Sequence, residues 1–333
     1  MSKFSLSIDS TEEKVKDNLD MLMKLSTVKA SKMLRELGVF EILNRPRSPE
    51  EIFHMLNFNT LEDEFFCIFD LLVNQELITK QGEFYADSPR RKYLEETLET
   101  EVEQAKEIVH KPFNALLDKS VQKYKAILKG EQGKLDDSNL ILTLDSLYGS
   151  EFFFHFRDVF YTNLSQRLPL FDAKDTLTIL NWGGGSGYDA LHLANHFKNN
   201  VMVLSVEPPN SLYRCKVIQD LYEVYNVEFL EKEGLEIEML KDCVDIFMGS
   251  SFVFKDHMKD YINLIQTTLS QEGYLTLAFI PQLNLSLDWV MSIHEQYEYN
   301  LIKDDYLAKL RHYGLSRTKY IGMDNGFVSL QKS

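Results

Sequence analysis

The stretch Ile179-Leu180-Asn181-Trp182-Gly183-Gly184-Gly185-Ser186-Gly187 decides how this chain is read. An apolar run (Leu177, Ile179, Leu180) stops at a glycine-rich turn, and the helix-like segment YDALHLANHF follows it. Glycines let a backbone turn tightly and approach a ligand closely, and the helix start supplies unpaired N–H groups. The order G-G-G-S-G differs from the dinucleotide fingerprint G-x-G-x-x-G. The next apolar run, Val201 to Val206, ends in Glu207-Pro208-Pro209. A carboxylate at the end of a second strand is placed to accept hydrogen bonds from ribose hydroxyls. Glu207 alone reads equally well as a solvated loop carboxylate. At this distance from a glycine turn, it points to an adenosine-containing cofactor.

The 333 residues suffice for two domains with full cores. A formal charge of −15 makes the surface acidic. That disfavours nucleic acid, because phosphate neutralisation needs clustered Lys and Arg. Cys67, Cys215 and Cys243 lie far apart with no C-x-x-C pair, which excludes a disulfide framework or a cysteine zinc site. All three read as buried small apolar residues, and no metal site is expected. No apolar segment follows a basic start and no run approaches membrane-spanning length, so the expected setting is a reducing cytoplasm without membrane contact.

Working back toward the N-terminus, Val15, Leu19, Leu22, Ala30, Met33, Leu34 and Leu37 recur at helical spacing, and Gly38 can end that helix. Ser48-Pro49-Glu50-Glu51 is a helix start with a cap, a first-turn proline and a glutamate three residues on. A second start at Thr60-Leu61-Glu62-Asp63 feeds EFFCIFDLLV, and LITKQGEFYADS reads as two short strands around Gln81-Gly82. Helices followed by a hairpin describe a winged-helix module. From Ser48 to Thr79 it carries no Lys or Arg but many acidic residues, so its would-be recognition helix repels phosphate. Its apolar excess (Phe65, Phe66, Ile68, Phe69, Leu72) fits a core and a protein interface better.

Residues 91–170 read as mostly helical, with KGEQGKLDDS as a loop and SEFFFHFRDVFYTNL unusually aromatic. Those aromatics suit domain packing, and they also suit a pocket for a flat or apolar substrate. From Leu177 onward strands and helices alternate: VEFL (227–230), VDIFMG (244–249), GYLTLAFI (273–280), a helix pattern over 283–298, KDDYLAKLRHYG, then LSRTKYI and GFVSLQK. This predicts a doubly wound α/β sheet with a mainly parallel core. The last two strand runs are too close for a parallel crossover and must form an antiparallel hairpin.

With these pieces in order, the chain resembles the two-domain S-adenosylmethionine-dependent O-methyltransferases of small molecules, the group of plant phenolic, hydroxyindole and bacterial secondary-metabolite enzymes. KASKMLRELGVFEILNRPRSPEEIFHMLNFNTLEDEFFCIFDLLVNQELITKQGEFYADS follows that family's dimerisation module, and YGSEFFFHFRDVFYTNLSQRLPLF its connecting helix. LNWGGGSGYDALHLA is similar to the first cofactor motif, LSQEGYLTLAFI to its "R-P-G-G-x-L" turn and strand, and IKDDYLAKLRHYGLSRTKYI to its closing helix and strand. The resemblance implies a Rossmann-like class I methyltransferase sheet with a C-terminal antiparallel hairpin, plus an N-terminal all-helical winged-helix domain. It divides the chain into a winged-helix dimerisation domain (1–95), a helical linker and substrate-pocket segment (96–170), and an S-adenosylmethionine-binding catalytic domain (171–333).

The resemblance also implies roles. Gly183, Gly185 and Gly187 would shape the loop around the methionine part of S-adenosylmethionine, Glu207 would hold the ribose, and Glu233 would lie near the adenine amino group. Ser250 and Ser251 would sit beside the cofactor. Asn181 stands where the family usually has Asp. His155, Phe160, Phe254 and Trp289 are the expected pocket side chains.

The catalytic pattern departs further. Many members carry a base histidine after the fourth strand, and that position here is Phe254, in SSFVFKDHMKDY; Asn300 stands near the place of an orienting carboxylate. His257, three residues on, is a candidate base and equally a solvent-facing helix histidine; His155 and His110 are further pocket candidates. Positioning carries much of a methyl transfer, and a base matters mainly for a neutral hydroxyl. The expected activity is methyl transfer to a small-molecule acceptor, an oxygen in the family's manner, that ionises unaided or is served by a base from another segment. Two alternatives stand beside it: the cofactor kept for a non-methylating reaction, or a silent binding partner. An exposed apolar face on the N-terminal helices would predict a homodimer.

Overall fold

The computed structural model describes residues 8–58, 62–104, 111–136, 149–182, 187–249, 258–279, 281–295, 303–323 and 326–332. They fall into two compact units, Lys16–Ser146 with Pro281–Tyr299, and Met1–Val15 with Leu147–Ile280 and Asn300–Ser333.

The first helix, Ile8–Glu36, which enters the helical unit at Lys16, stops before Gly38, whose φ of +78° is left-handed. Ser48 Oγ accepts from Glu51 N at 3.3 Å while Glu51 Oε2 accepts from Ser48 N at 3.1 Å. This reciprocal cap starts the helix Pro49–Leu56 as predicted. The next helix, Glu62–Asn74, buries Phe65, Ile68, Phe69 and Leu72 completely, at i, i+3, i+4 and i+7. Each contributes roughly 1.5–3 kcal/mol of burial. These four side chains supply the core part of the apolar excess read in this helix.

Strands β1 (Ile78–Gln81) and β2 (Phe84–Asp87) form the predicted hairpin, and Arg47 exchanges two 2.8 Å backbone hydrogen bonds with Tyr85 of β2. The helix Pro281–Met291 belongs to this unit and packs on Glu62–Asn74. It ends short of the predicted 298. Leu135 N donates to Ile293 O and Glu295 N to Leu135 O, so residues beyond Met291 spend their backbone groups on a bridge.

The second unit is built on a seven-stranded sheet: β3 (Leu177–Trp182), β4 (Val201–Glu207), β5 (Val227–Glu231), β6 (Val244–Met248), β7 (Leu269–Ala278), β8 (Leu315–Gly322) and β9 (Phe327–Lys332). The order is β5-β4-β3-β6-β7-β9-β8. The first five strands are parallel and β9 is antiparallel to both neighbours. The expected terminal hairpin is present, with its second strand on the inside. Composition explains the choice: Phe327, Val328, Ser329 and Leu330 are all buried, whereas β8 carries Arg317, Lys319 and Tyr320 and suits an edge. β7 begins four residues earlier than predicted, with a register irregularity opposite Val244 and Ile246.

One cysteine expectation is overturned. Cys67 and Cys215 are buried, but Cys243 is exposed, in the turn before β6, with its Sγ 3.1 Å from Lys241 O. A turn residue outside the strand's apolar run has no core to enter.

Candidate functional site

Because β3, β4, β5 and β6 are parallel, their carboxyl ends gather at one edge, with Asn181 opposite Ser205 and Met248, and Glu207 opposite Glu231. The order reverses between β3 and β6, and open α/β sheets bind ligands at such a switch point. Far from that edge, Asp245 of β6 accepts from Thr178 N at 2.9 Å and pairs with Lys174, which holds β3 against β6.

At the edge, Asn181, Ser205 and Glu207 form one buried chain of hydrogen bonds. Asn181 Nδ2 donates to Ser205 Oγ at 3.1 Å, and Ser205 Oγ donates to Glu207 Oε1 at 2.6 Å. Ser205 and Glu207 are two apart on β4 and so share a sheet face, and the register puts Asn181 on the same face. All three are buried. A buried carboxylate is stabilised by donors, and Ser205 is one such donor. Sequence reading named Asn181 and Glu207 but missed Ser205. Its signal was a lone small polar residue in the apolar strand VMVLSVE, at i−2 from the carboxylate.

Gly187 precedes the helix Tyr188–Phe197 with φ +72°. A Cβ there would lie 2.8 Å from Cys215 Sγ and 3.2 Å from Phe229 Cε1, so glycine is required by conformation and by packing. Burial pushes the Cys215 thiol up to about 12, with Glu207 adding to the shift. Cys215 is thus a neutral packing group. Glu233 is exposed, two residues past Glu231, and the chain between them is tied back by Lys232 N donating to Glu207 O at 2.9 Å. Gly183, Gly185, Ser250, Ser251, Phe254 and His257 lie outside the described residues, as do His110 and Asn300.

The pocket expectations fare differently. Phe160 is buried on the helix Glu151–Arg167 with its ring 4.6 Å from that of Phe327, and Phe156, one turn earlier, packs on the same ring. These aromatics cover the sheet. His155 is partly exposed, with Nε2 3.5 Å from Glu151 Oε1 on its own helix. Trp289 is corrected most plainly. Its indole is fully buried in the helical unit, its N–H donates to Ser26 Oγ at 2.7 Å, and Ser26 Oγ donates to Ser286 O at 2.8 Å. A large ring with a polar edge needs such a partner when buried, and Trp289 is a core residue.

The sequence matches no protein-family profile and no curated protein. Solved structures match along the whole chain. DszA carbon methyltransferase is similar with a TM-score of 0.67 at 14% identity, covering 100% of this chain and 98% of that one. CurJ carbon methyltransferase is similar with a TM-score of 0.62 at 14% identity, over 98% and 96% of the two chains. An O-methyltransferase family 2 protein from Planctomyces limnophilus, solved with apigenin, gives 0.53 at 15% identity over 97% and 96%. At such identities the likeness is one of fold. No described helix is long and apolar enough to cross a membrane. A mixed seven-stranded sheet with its terminal antiparallel pair, joined to an N-terminal helical region, gives this chain the class I methyltransferase fold.

Proposed function

We propose that this protein is an S-adenosylmethionine-dependent methyltransferase acting on a small-molecule acceptor that ionises readily. The observation that carries the proposal is the buried Asn181–Ser205–Glu207 chain at the carboxyl edge, beside the helix that starts at Gly187. That donor set fits an adenosine cofactor. Glu207 would accept from the ribose hydroxyls, with Ser205 holding one of its oxygens, and Gly187 would let the loop before it turn tightly. Glu233 would lie toward the adenine.

When bound, S-adenosylmethionine supplies an electrophilic methyl group and a sulfide leaving group. The chain's task is then to hold the acceptor in line and keep water away. Phe254 occupies the place of the usual base histidine, which favours an acceptor anionic near neutral pH. Carbon methyltransferases stand among the structural neighbours. An activated carbon between two carbonyls therefore joins acidic phenols and carboxylic acids as an acceptor class. A homodimer through the N-terminal unit and a cytoplasmic setting are parts of the same proposal, resting on the family resemblance. Light scattering at micromolar concentration would test the dimer.

The decisive assay is mass spectrometry with methyl-labelled S-adenosylmethionine against 1,3-dicarbonyl compounds, acidic phenols and carboxylic acids. Label appearing in one class supports the reading. Tight cofactor binding without transfer to any class sinks it, and a changed substrate with unconsumed cofactor would instead support a non-methylating reaction.

A further inference from the structure

Asp158, His192 and His196 converge on one point away from the edge just described. His192 and His196 are four residues apart on the helix Tyr188–Phe197, so both rings leave the same side. Asp158 comes from the helix Glu151–Arg167 packed against it. Asp158 Oδ1 is 2.9 Å from His192 Nε2 and 3.2 Å from His196 Nδ1, and the three donor atoms all lie within 4.8 Å of one another.

We propose that these three side chains form a binding site for a divalent transition metal of the zinc class. Zinc–nitrogen and zinc–oxygen bonds of about 2.0–2.1 Å at tetrahedral angles put neighbouring ligand atoms roughly 3.3 Å apart. The two separations at Asp158 are close to that edge length, and the third, between the two ring nitrogens, is no more than 4.8 Å. Two imidazoles and one carboxylate suit Zn²⁺, Co²⁺ or Ni²⁺; Mg²⁺ and Ca²⁺ prefer all-oxygen sites. His192 is buried while Asp158 and His196 are partly exposed, which gives a metal a route in and a solvent-facing fourth position.

The surroundings hold the rings in place. The Tyr161 ring stands edge-on to both imidazoles with centroids at 5.6 Å, and Phe154 covers His192 at 4.9 Å. The nearby Arg157 is paired with Asp189, which offsets its charge next to an incoming cation. A bound ion would staple the helix Glu151–Arg167 to the helix that begins at Gly187. Its role would be structural.

The simpler alternative is an aspartate accepting two imidazole hydrogen bonds with no metal. The test uses untagged full-length protein stripped with chelator and dialysed against Zn²⁺ or, for its visible d–d absorption, Co²⁺. The expected result is about one ion per chain with micromolar or tighter affinity, a raised unfolding temperature, and no response to Mg²⁺. Asp158→Asn and His196→Gln should each weaken binding by more than the roughly 10–100-fold that loss of a ligand's supporting partner costs. His196 is partly exposed, and circular dichroism would confirm that its variant folds. No binding below millimolar metal would overturn the proposal in favour of hydrogen bonds alone. Stoichiometric binding that survives both substitutions would overturn it in favour of ligands elsewhere.

Discussion

Asn181 and Glu207, on adjacent parallel strands, are joined through the single hydroxyl of Ser205. The arrangement explains why an amide serves at position 181. The Ser205 proton goes to Glu207, so the hydroxyl oxygen must accept from its other neighbour. An amide can donate to it. An ionised carboxylate cannot, and it would add a second negative charge beside Glu207.

Removing that hydroxyl should therefore weaken cofactor binding. Ser205→Ala leaves a buried amide and carboxylate each short of a partner, a loss of about 1–3 kcal/mol. The expected fall in affinity for the demethylated cofactor is roughly 5- to 150-fold by calorimetry. Asn181→Asp should bind worse as the pH rises and the new carboxylate ionises, whereas the loss in Ser205→Ala should vary less with pH. Unchanged affinity in both variants would show that the chain does not orient the cofactor's carboxylate partner.

Gly187→Ala combines a left-handed backbone with a 2.8 Å approach to Cys215 Sγ. The backbone alone costs about 1–2 kcal/mol. Urea unfolding should show a loss somewhat larger than that. Adding Cys215→Ala should recover only the part of the steric cost that Sγ imposes, because Phe229 Cε1 stays at 3.2 Å. Full recovery would mean that the backbone conformation is not strained for alanine.

Thiol labelling should distinguish the three cysteines. A maleimide should modify Cys243 in the native protein and reach Cys67 and Cys215 only after denaturation, because the latter two are buried. Peptide mapping of the native adduct checks this. Native labelling at Cys215 would contradict its packing against the Gly187 turn.

His294 supplies a pH dependence of stability. It is 1% exposed, and burial pushes its pKa down to about 4 against a weaker opposing effect of Asp136. Between that value and the ordinary imidazole range near 6.5, the unfolded chain binds a proton that the folded chain excludes. Its contribution is complete above about pH 6.5 and is lost as the pH falls toward 4, up to about 3 kcal/mol. His294→Gln should flatten the stability curve of the helical unit in that window. An unaltered slope would assign the acid sensitivity to other groups.

Much of this molecule is legible where the signal is local. Ser48 and Glu51 cap a helix because their reach is three residues. Gln81-Gly82 marks a hairpin for the same reason. The glycine run and Glu207 announce strand ends because an apolar run stops at each. What escaped sequence reading depended on partners far along the chain. Trp289 reads as a pocket aromatic until Ser26 is found against its N–H, and Phe160 until Phe327 is found against its ring.

The sequence by itself therefore determined the order of helices and strands, the acidic strand end and the terminal hairpin. Those follow from backbone propensity, capping and periodicity, which act over a few residues. Tertiary structure alone decided that β9 lies inside β8, that Ser205 connects Asn181 to Glu207, and that Asp158 meets two histidines of another helix. Strand register and helix–helix contact set these pairings. Both are chosen by how buried surfaces fit across dozens of residues, and no short stretch of sequence encodes that fit.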